Sequence, residues 1–129
     1  MSFQWNDKQP IYLQLKELVK NRILTGDLQA GDALPSVRQV AAEYQVNPIT
    51  VSKAWQALAE ENLVEKKRGL GMFVMPQARR LLEQREKNLF LEVEWPQTLQ
   101  RIQNLGVEIE PLLDSLQALR QNTDLDKES

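Results

Sequence analysis

Residues 36–62 read SVRQVAAEYQVNPITVSKAWQALAEEN, and the fold turns on how this stretch divides. Ser36 followed three residues later by Gln39 has the form of a capping box, in which the two side chains satisfy free backbone donors at a helix start. Val37, Val40, Ala41 and Tyr44 then supply the apolar side of a short helix. Gln45-Val46-Asn47 is a tight connection. Asn47 caps a further helix over 47–62, with Pro48 at its first position, where a missing N–H costs nothing. Val51, Ala54, Trp55 and Leu58 fall at i, i+3, i+4 and i+7 and make one bulky apolar face. Ile49, Thr50, Ser52, Lys53 and Gln56 are left on the opposite side. Asn62 stands where the helix should stop, and Asn is the best non-glycine residue for a left-handed cap. Two helices joined by a turn of this length form the helix-turn-helix unit, whose second member can enter a major groove. Short polar side chains on its outer face permit close approach to base edges and can bond to phosphates or bases.

Working outward, residues 9–25 predict a helix, with Pro10 at its first position and Ile11, Leu15, Leu18, Val19 and Ile23 at helical spacing. Gly26 suits the left-handed turn that ends it. Asp27 to Pro35 reads as a connector, punctuated by Gly31 and Pro35. On the other side, Val64–Lys67 and Met72–Met75 are strand candidates around Arg68-Gly69-Leu70-Gly71, a hairpin turn. Lys66, Lys67 and Arg68 stand beside a single acid, Glu65, and form the one dense basic cluster of the sequence. A cationic hairpin with a glycine tip suits tracking along a sugar-phosphate backbone or reaching into a minor groove. Taken singly, these features have plainer readings: two packed helices, or a strand edge blunted by charge. Their conjunction in this order favours a winged helix-turn-helix.

Composition narrows the alternatives. The chain has 129 residues, the length of one small domain with an appendage, and contains no Cys and no His. Disulfides, Cys/His zinc sites, thiol nucleophiles and imidazole chemistry are therefore excluded, and no cofactor is implied. No apolar run approaches the ~20 residues of a membrane span. The start, MSFQWNDKQP, lacks the basic-then-apolar pattern of a signal peptide, so a cytoplasmic location is expected. Net charge is −2, but residues 1–75 carry 9 basic and 8 acidic side chains whereas 76–129 carry 7 and 10. The surplus positive charge thus lies in the front half. Enzymatic function finds no support: there is no phosphate loop and no carboxylate pair spaced for acid/base work, and Glu60-Glu61 and Glu108/Glu110 read as solvated positions.

Behind Pro76, helices are expected over 77–91, 95–105 and 109–120, and the polar end 122–129 is expected to be disordered. Leu81, Leu82, Leu89, Phe90, Trp95, Leu99, Ile102, Leu112, Leu113 and Leu116 exceed the apolar surface a 54-residue appendage can hide alone. They are the candidate dimerisation residues, the alternative being that these faces pack on each other and on the first helix within one chain.

Four stretches together carry a resemblance: residues 10–15 (PIYLQL), 26–38 (GDLQAGDALPSVR), 46–55 (VNPITVSKAW) and 68–74 (RGLGMFV). In this order and spacing, over about residues 9–75, they resemble the GntR family of bacterial transcription regulators. The resemblance implies an N-terminal winged helix that touches DNA through Ser36 and Arg38, through Asn47, Pro48, Thr50, Ser52 and Lys53, and through Lys67, Arg68 and Gly69, with Lys66 alongside in the wing. Many relatives carry Arg where this chain has Pro48 and Ser52, which leaves Arg38 as the main candidate for bidentate reading of guanine. The short tail is similar to that of the YtrA subfamily, which implies dimerisation. The expectation is a mainly α protein: a DNA-binding winged helix over 1–75, a helical dimerisation region over 76–121 and a disordered end. Its expected function is that of a dimeric repressor on a (pseudo)palindromic double-stranded operator, with no membrane partner and with any small-molecule effector unassigned. The competing reading is a winged-helix module that serves protein assembly without DNA.

Overall fold

The computed structural model describes residues 5–128. Its elements run α1 (Ile11–Thr25), α2 (Val37–Tyr44), α3 (Pro48–Glu60), β1 (Val64–Lys67), β2 (Gly71–Val74), α4 (Ala78–Leu89), α5 (Trp95–Leu105) and α6 (Ile109–Glu128). The chain divides into two compact units, Met1–Asn88 and Leu89–Ser129. It is mainly α with one antiparallel hairpin, a winged helix-turn-helix followed by a helical region.

The helix ends form as their residues dictate. Ser36 Oγ accepts from Gln39 N–H at 3.1 Å and Gln39 Oε1 accepts from Ser36 N–H at 3.2 Å, completing the capping box of α2. Asn47 Oδ1 accepts from Ile49 N–H at 2.9 Å and caps α3. Gln45 (φ 54°) and Asn62 (φ 63°) take the left-handed conformations that close α2 and leave α3. Pro10 differs from expectation: it precedes the first helical residue as the N-cap of α1, with extended ψ of 144°.

The first unit has one core. Leu15, Val19 and Ile23 of α1, Val40 and Ala41 of α2, and Val51, Ala54, Trp55 and Leu58 of α3 meet Leu63, Val64 and Val74 of the hairpin. The hairpin pairs Val64 with Val74 and Lys67 with Gly71, so β2 starts and ends one residue before the expected 72–75. The connector before α2 is more ordered than its Gly and Pro punctuation indicates. Ala33 bridges to Phe73, Gly31 N–H donates to Val74 O at 2.9 Å, and Leu34 N–H donates to Met72 O at 2.8 Å. The free edge of β2 needs backbone partners, and the connector supplies them.

The largest difference concerns α4. The expected boundary at 75 lies inside the first unit, which extends to Asn88. Ala78 and Leu82 are part of its core, Leu82 only 1% exposed, and Leu81 packs against them. Leu82 therefore belongs to the core of the first unit, and Leu81 packs against that core while remaining half-buried. Their leucine spacing reads the same whether the helix covers its own domain or a partner, which is why the sequence does not separate them.

α4 ends at Leu89, short of the expected 91, and in the second unit a π-helical turn over Phe90–Glu94 precedes α5. Phe90 and Trp95 bring their rings to 6.3 Å across it. Gly106, at φ 65°, closes α5. α6 continues to Glu128, past the expected end at 120 and through most of the segment expected to be disordered. Residues 121–128 contain neither Gly nor Pro to stop a helix. Ser129 lies outside the described residues. Leu89, Phe90, Leu99, Leu113 and Leu116 are exposed, and Trp95, Ile102 and Leu112 are half-buried. Among the described residues no helix is long and apolar enough to cross a membrane.

Candidate nucleic-acid interface

Three pieces of the first unit carry the candidate residues: the first turn of α2, the outer face of α3, and the hairpin. α3 buries Val51, Ala54, Trp55 and Leu58 and leaves Ser52, Lys53 and Gln56 exposed, with Thr50 half-buried. The first turn of α2 is fixed against α3 by Trp55, whose indole Nε1–H donates to the Pro35 carbonyl at 3.1 Å. Arg38, two residues into α2, is exposed and makes no ion pair among the described residues.

The caps alter what Ser36 and Asn47 can offer. Each side-chain oxygen already accepts a backbone N–H, while the Ser36 hydroxyl hydrogen and the Asn47 amide hydrogens stay uncommitted. Each residue thus keeps its donors, and each oxygen one further lone pair; the donors suit acceptor-rich phosphate oxygens. Pro48 shapes the start of α3 and brings no hydrogen-bonding side chain.

The hairpin separates its two lysines. Because side chains alternate across a strand, Lys66 lies on the opposite face from Glu65 and Lys67. Lys66 lines a groove of about 700 Å³ between the wing and the helices, together with Ser36, Ser52, Gln56 and Leu70. On the other face, Lys67 Nζ sits 4.8 Å from the centre of the Phe73 ring and 4.0 Å from Glu65 Oε1. Arg68 and Gly69 are exposed at the tip, where Gly69 (φ 79°) and Gly71 (φ 113°) need the positive φ that glycine adopts freely. Lys53 departs from its expected company: its ammonium is held 4.1 Å from the centre of the Tyr12 ring on α1. The structure thus brings Ser36, Ser52 and Lys66 to one groove and places Lys53 against α1.

Sequence reasoning missed the device that holds α3 from behind. Glu61, expected to be solvated, is half-buried at the C-terminal end of α3, with Lys16 Nζ at 2.7 Å and Lys20 Nζ at 3.1 Å. Its Oε2 is buried, and the Lys16 ammonium beside it compensates its charge. Burial works to raise the Glu61 carboxyl pKa; the hydrogen bonds and charges of Lys16 and Lys20 outweigh it and hold the carboxyl below its ordinary range. Arg85 Nη1 on α4 also donates to the Glu61 carbonyl at 3.0 Å, so one residue joins α1, α3 and α4. The visible signal is the pairing of Lys16 with Lys20 at i, i+4, which puts both ammoniums on one side of α1.

Residues 11–74 match the profile of the bacterial regulatory proteins of the gntR family. The chain is 36% identical over 103 residues to the HTH-type transcriptional repressor YtrA of Bacillus subtilis, covering 80% of this chain and 78% of that one. It is 34% identical over 87 residues to the HTH-type transcriptional regulator YhcF of the same organism, covering 67% and 72%. The solved structure of a GntR family transcriptional regulator from Listeria monocytogenes superposes with a TM-score of 0.71 at 29% identity, covering 88% of this chain and 98% of that one.

The chain belongs to the GntR family. It is a transcriptional regulator with a helix-turn-helix DNA-binding domain, in a family of regulators and not of enzymes. The GntR match ends at residue 74, the last of β2, whereas the first compact unit continues to Asn88 in α4.

Proposed function

We propose that this chain acts in the cytoplasm as a homodimeric repressor that reads a (pseudo)palindromic double-stranded operator, one half-site per head. The observation that carries the reading is the convergence of Ser36, Ser52 and Lys66 on one groove, with the exposed Arg38 and the cationic tip Arg68-Gly69 belonging to the elements that frame it. In this reading α3 enters the major groove, Arg38 makes the guanine contact, and the wing follows the backbone with Lys66, Lys67 and Arg68. Ser36, Asn47 and Thr50 donate to phosphates. Lys53 swings from the Tyr12 ring to the backbone, an exchange of one exposed cation contact for another.

A single head buries too little surface for tight specific binding, and two half-sites one helical turn apart, or a multiple of that, overcome this. Leu89, Phe90, Leu99, Leu113 and Leu116, exposed in the second unit, support pairing through that unit; Trp95, Ile102 and Leu112 contribute their open edges. Repression then follows from occupying DNA that the transcription machinery needs.

The test is selection from fragmented genomic DNA with the purified full chain, followed by sequencing of what is retained. The expected result is an enriched inverted repeat whose half-site centres lie about 10 bp apart or a multiple of that. Retention without any shared motif would contradict the reading.

A further inference from the structure

The first unit exposes three large hydrophobic side chains among its described residues: Ile11 at 36%, Leu70 at 72% and Ile49 at 75%. The two most exposed are not scattered. Leu70 is at the wing tip and Ile49 in the first turn of α3, the two parts of a winged helix that meet DNA. Ile49 is also firmly placed. Its N–H donates to Asn47 Oδ1 at 2.9 Å, the following Thr50 N–H donates to Asn47 O at 2.9 Å, and Val51 is fully buried. A β-branched side chain on a helix has one strongly preferred χ1, so Ile49 projects as a stiff knob. It heads the row 49, 52, 53, 56, whose other members, Ser52, Lys53 and Gln56, are polar.

A lone aliphatic knob at the leading end of a polar, DNA-facing row needs an apolar counterpart of about its own size. On the major-groove edges of base pairs the one apolar group is the C5-methyl of thymine. We propose that Ile49 is a specificity-determining residue that reads one thymine in each half-site by packing on its C5-methyl. This rests on the operator-binding reading above and adds to it a chemical identity at one base position. A protein partner fits the same knob less well, since the side chains that share its row on α3, Ser52, Lys53 and Gln56, are all polar.

The experiment uses the full chain and the operator recovered by selection. Each thymine of the half-site is replaced in turn, symmetrically in both halves, by deoxyuridine, which removes the methyl and keeps every hydrogen-bonding group. Burial of one methyl is worth about fourfold in affinity, so one position should lose about fourfold per half-site, or about 16-fold in the dimer. Ile49→Ala should bind thymine and uracil equally at that position alone. Ile49→Val, one methylene shorter, should retain part of the discrimination and serves if the Ala variant binds too weakly to titrate. Tight binding by the unchanged protein that is insensitive to uracil at every thymine would overturn the proposal and leave the operator reading intact. The same discrimination persisting in Ile49→Ala and Ile49→Val would overturn it too. Failure of the unchanged chain to select any motif would remove both.

Discussion

Trp55 Nε1 donates a hydrogen bond to the carbonyl oxygen of Pro35, 20 residues away in sequence, at 3.1 Å. The bond ties the core of α3 to the segment that sets Ser36 and Arg38. The residue that fills the head's core thus also registers the start of α2 and α3 against each other.

Trp55→Phe keeps most of the buried ring and removes the donor. The Pro35 carbonyl loses its partner, and a hydrogen bond of this kind contributes about 0.5–1.5 kcal/mol. A lower denaturation midpoint in urea is expected, together with weaker operator binding. A fall in stability with unchanged operator affinity would show that Arg38 does not depend on this registration.

Arg38→Ala and Lys67→Ala should separate base reading from phosphate contact. Loss of a bidentate guanine contact costs about 1–3 kcal/mol per half-site and relaxes the preference at one base pair. Loss of Lys67 should weaken all sequences about equally and flatten the salt dependence. Titrations against the operator and a single-base variant check both, and identical behaviour of the two substitutions would contradict the assignment.

Glu61 has a pKa in the folded state below its unfolded value. A carboxyl of this kind contributes stability that is present above the unfolded pKa and lost as pH falls through the folded one. Glu61→Gln is therefore expected to unfold more easily at about pH 7, and the gap to the unchanged protein should close toward about pH 3. Thermal melts across that range are the check. A gap that widens in acid would mean that Lys16 and Lys20 do not set the ionisation.

Leu113→Asp with Leu116→Asp places two charges on the exposed face of α6. Sedimentation should show the doubly substituted chain as a monomer while the unchanged chain is a dimer, with the head still folded. Leu82→Asp, by contrast, introduces a charge into a fully packed core and should unfold the head, a loss of several kcal/mol.

Much of this molecule was legible because local chemistry and global fold agree. The Ser36–Gln39 box, the Asn47 cap, Pro48 and the left-handed Asn62 each announce a boundary through backbone requirements that act within a few residues. What escaped depends on distant partners. The strand-like pairing of Ala33 with Phe73 joins segments 40 residues apart, and nothing near Ala33 indicates it. Leu81 and Leu82 look like any amphipathic helix until the core they complete is known. Lys53 carries the right charge for DNA, yet its resting place is set by Tyr12, which the helical pattern gives no reason to pair with it.

The central claim is that two cationic heads sit side by side on one duplex, and its most direct test is the salt dependence of operator affinity. If each head neutralises about four phosphates, log K against log salt should fall with a slope of about −7. A slope indistinguishable from zero would contradict the account.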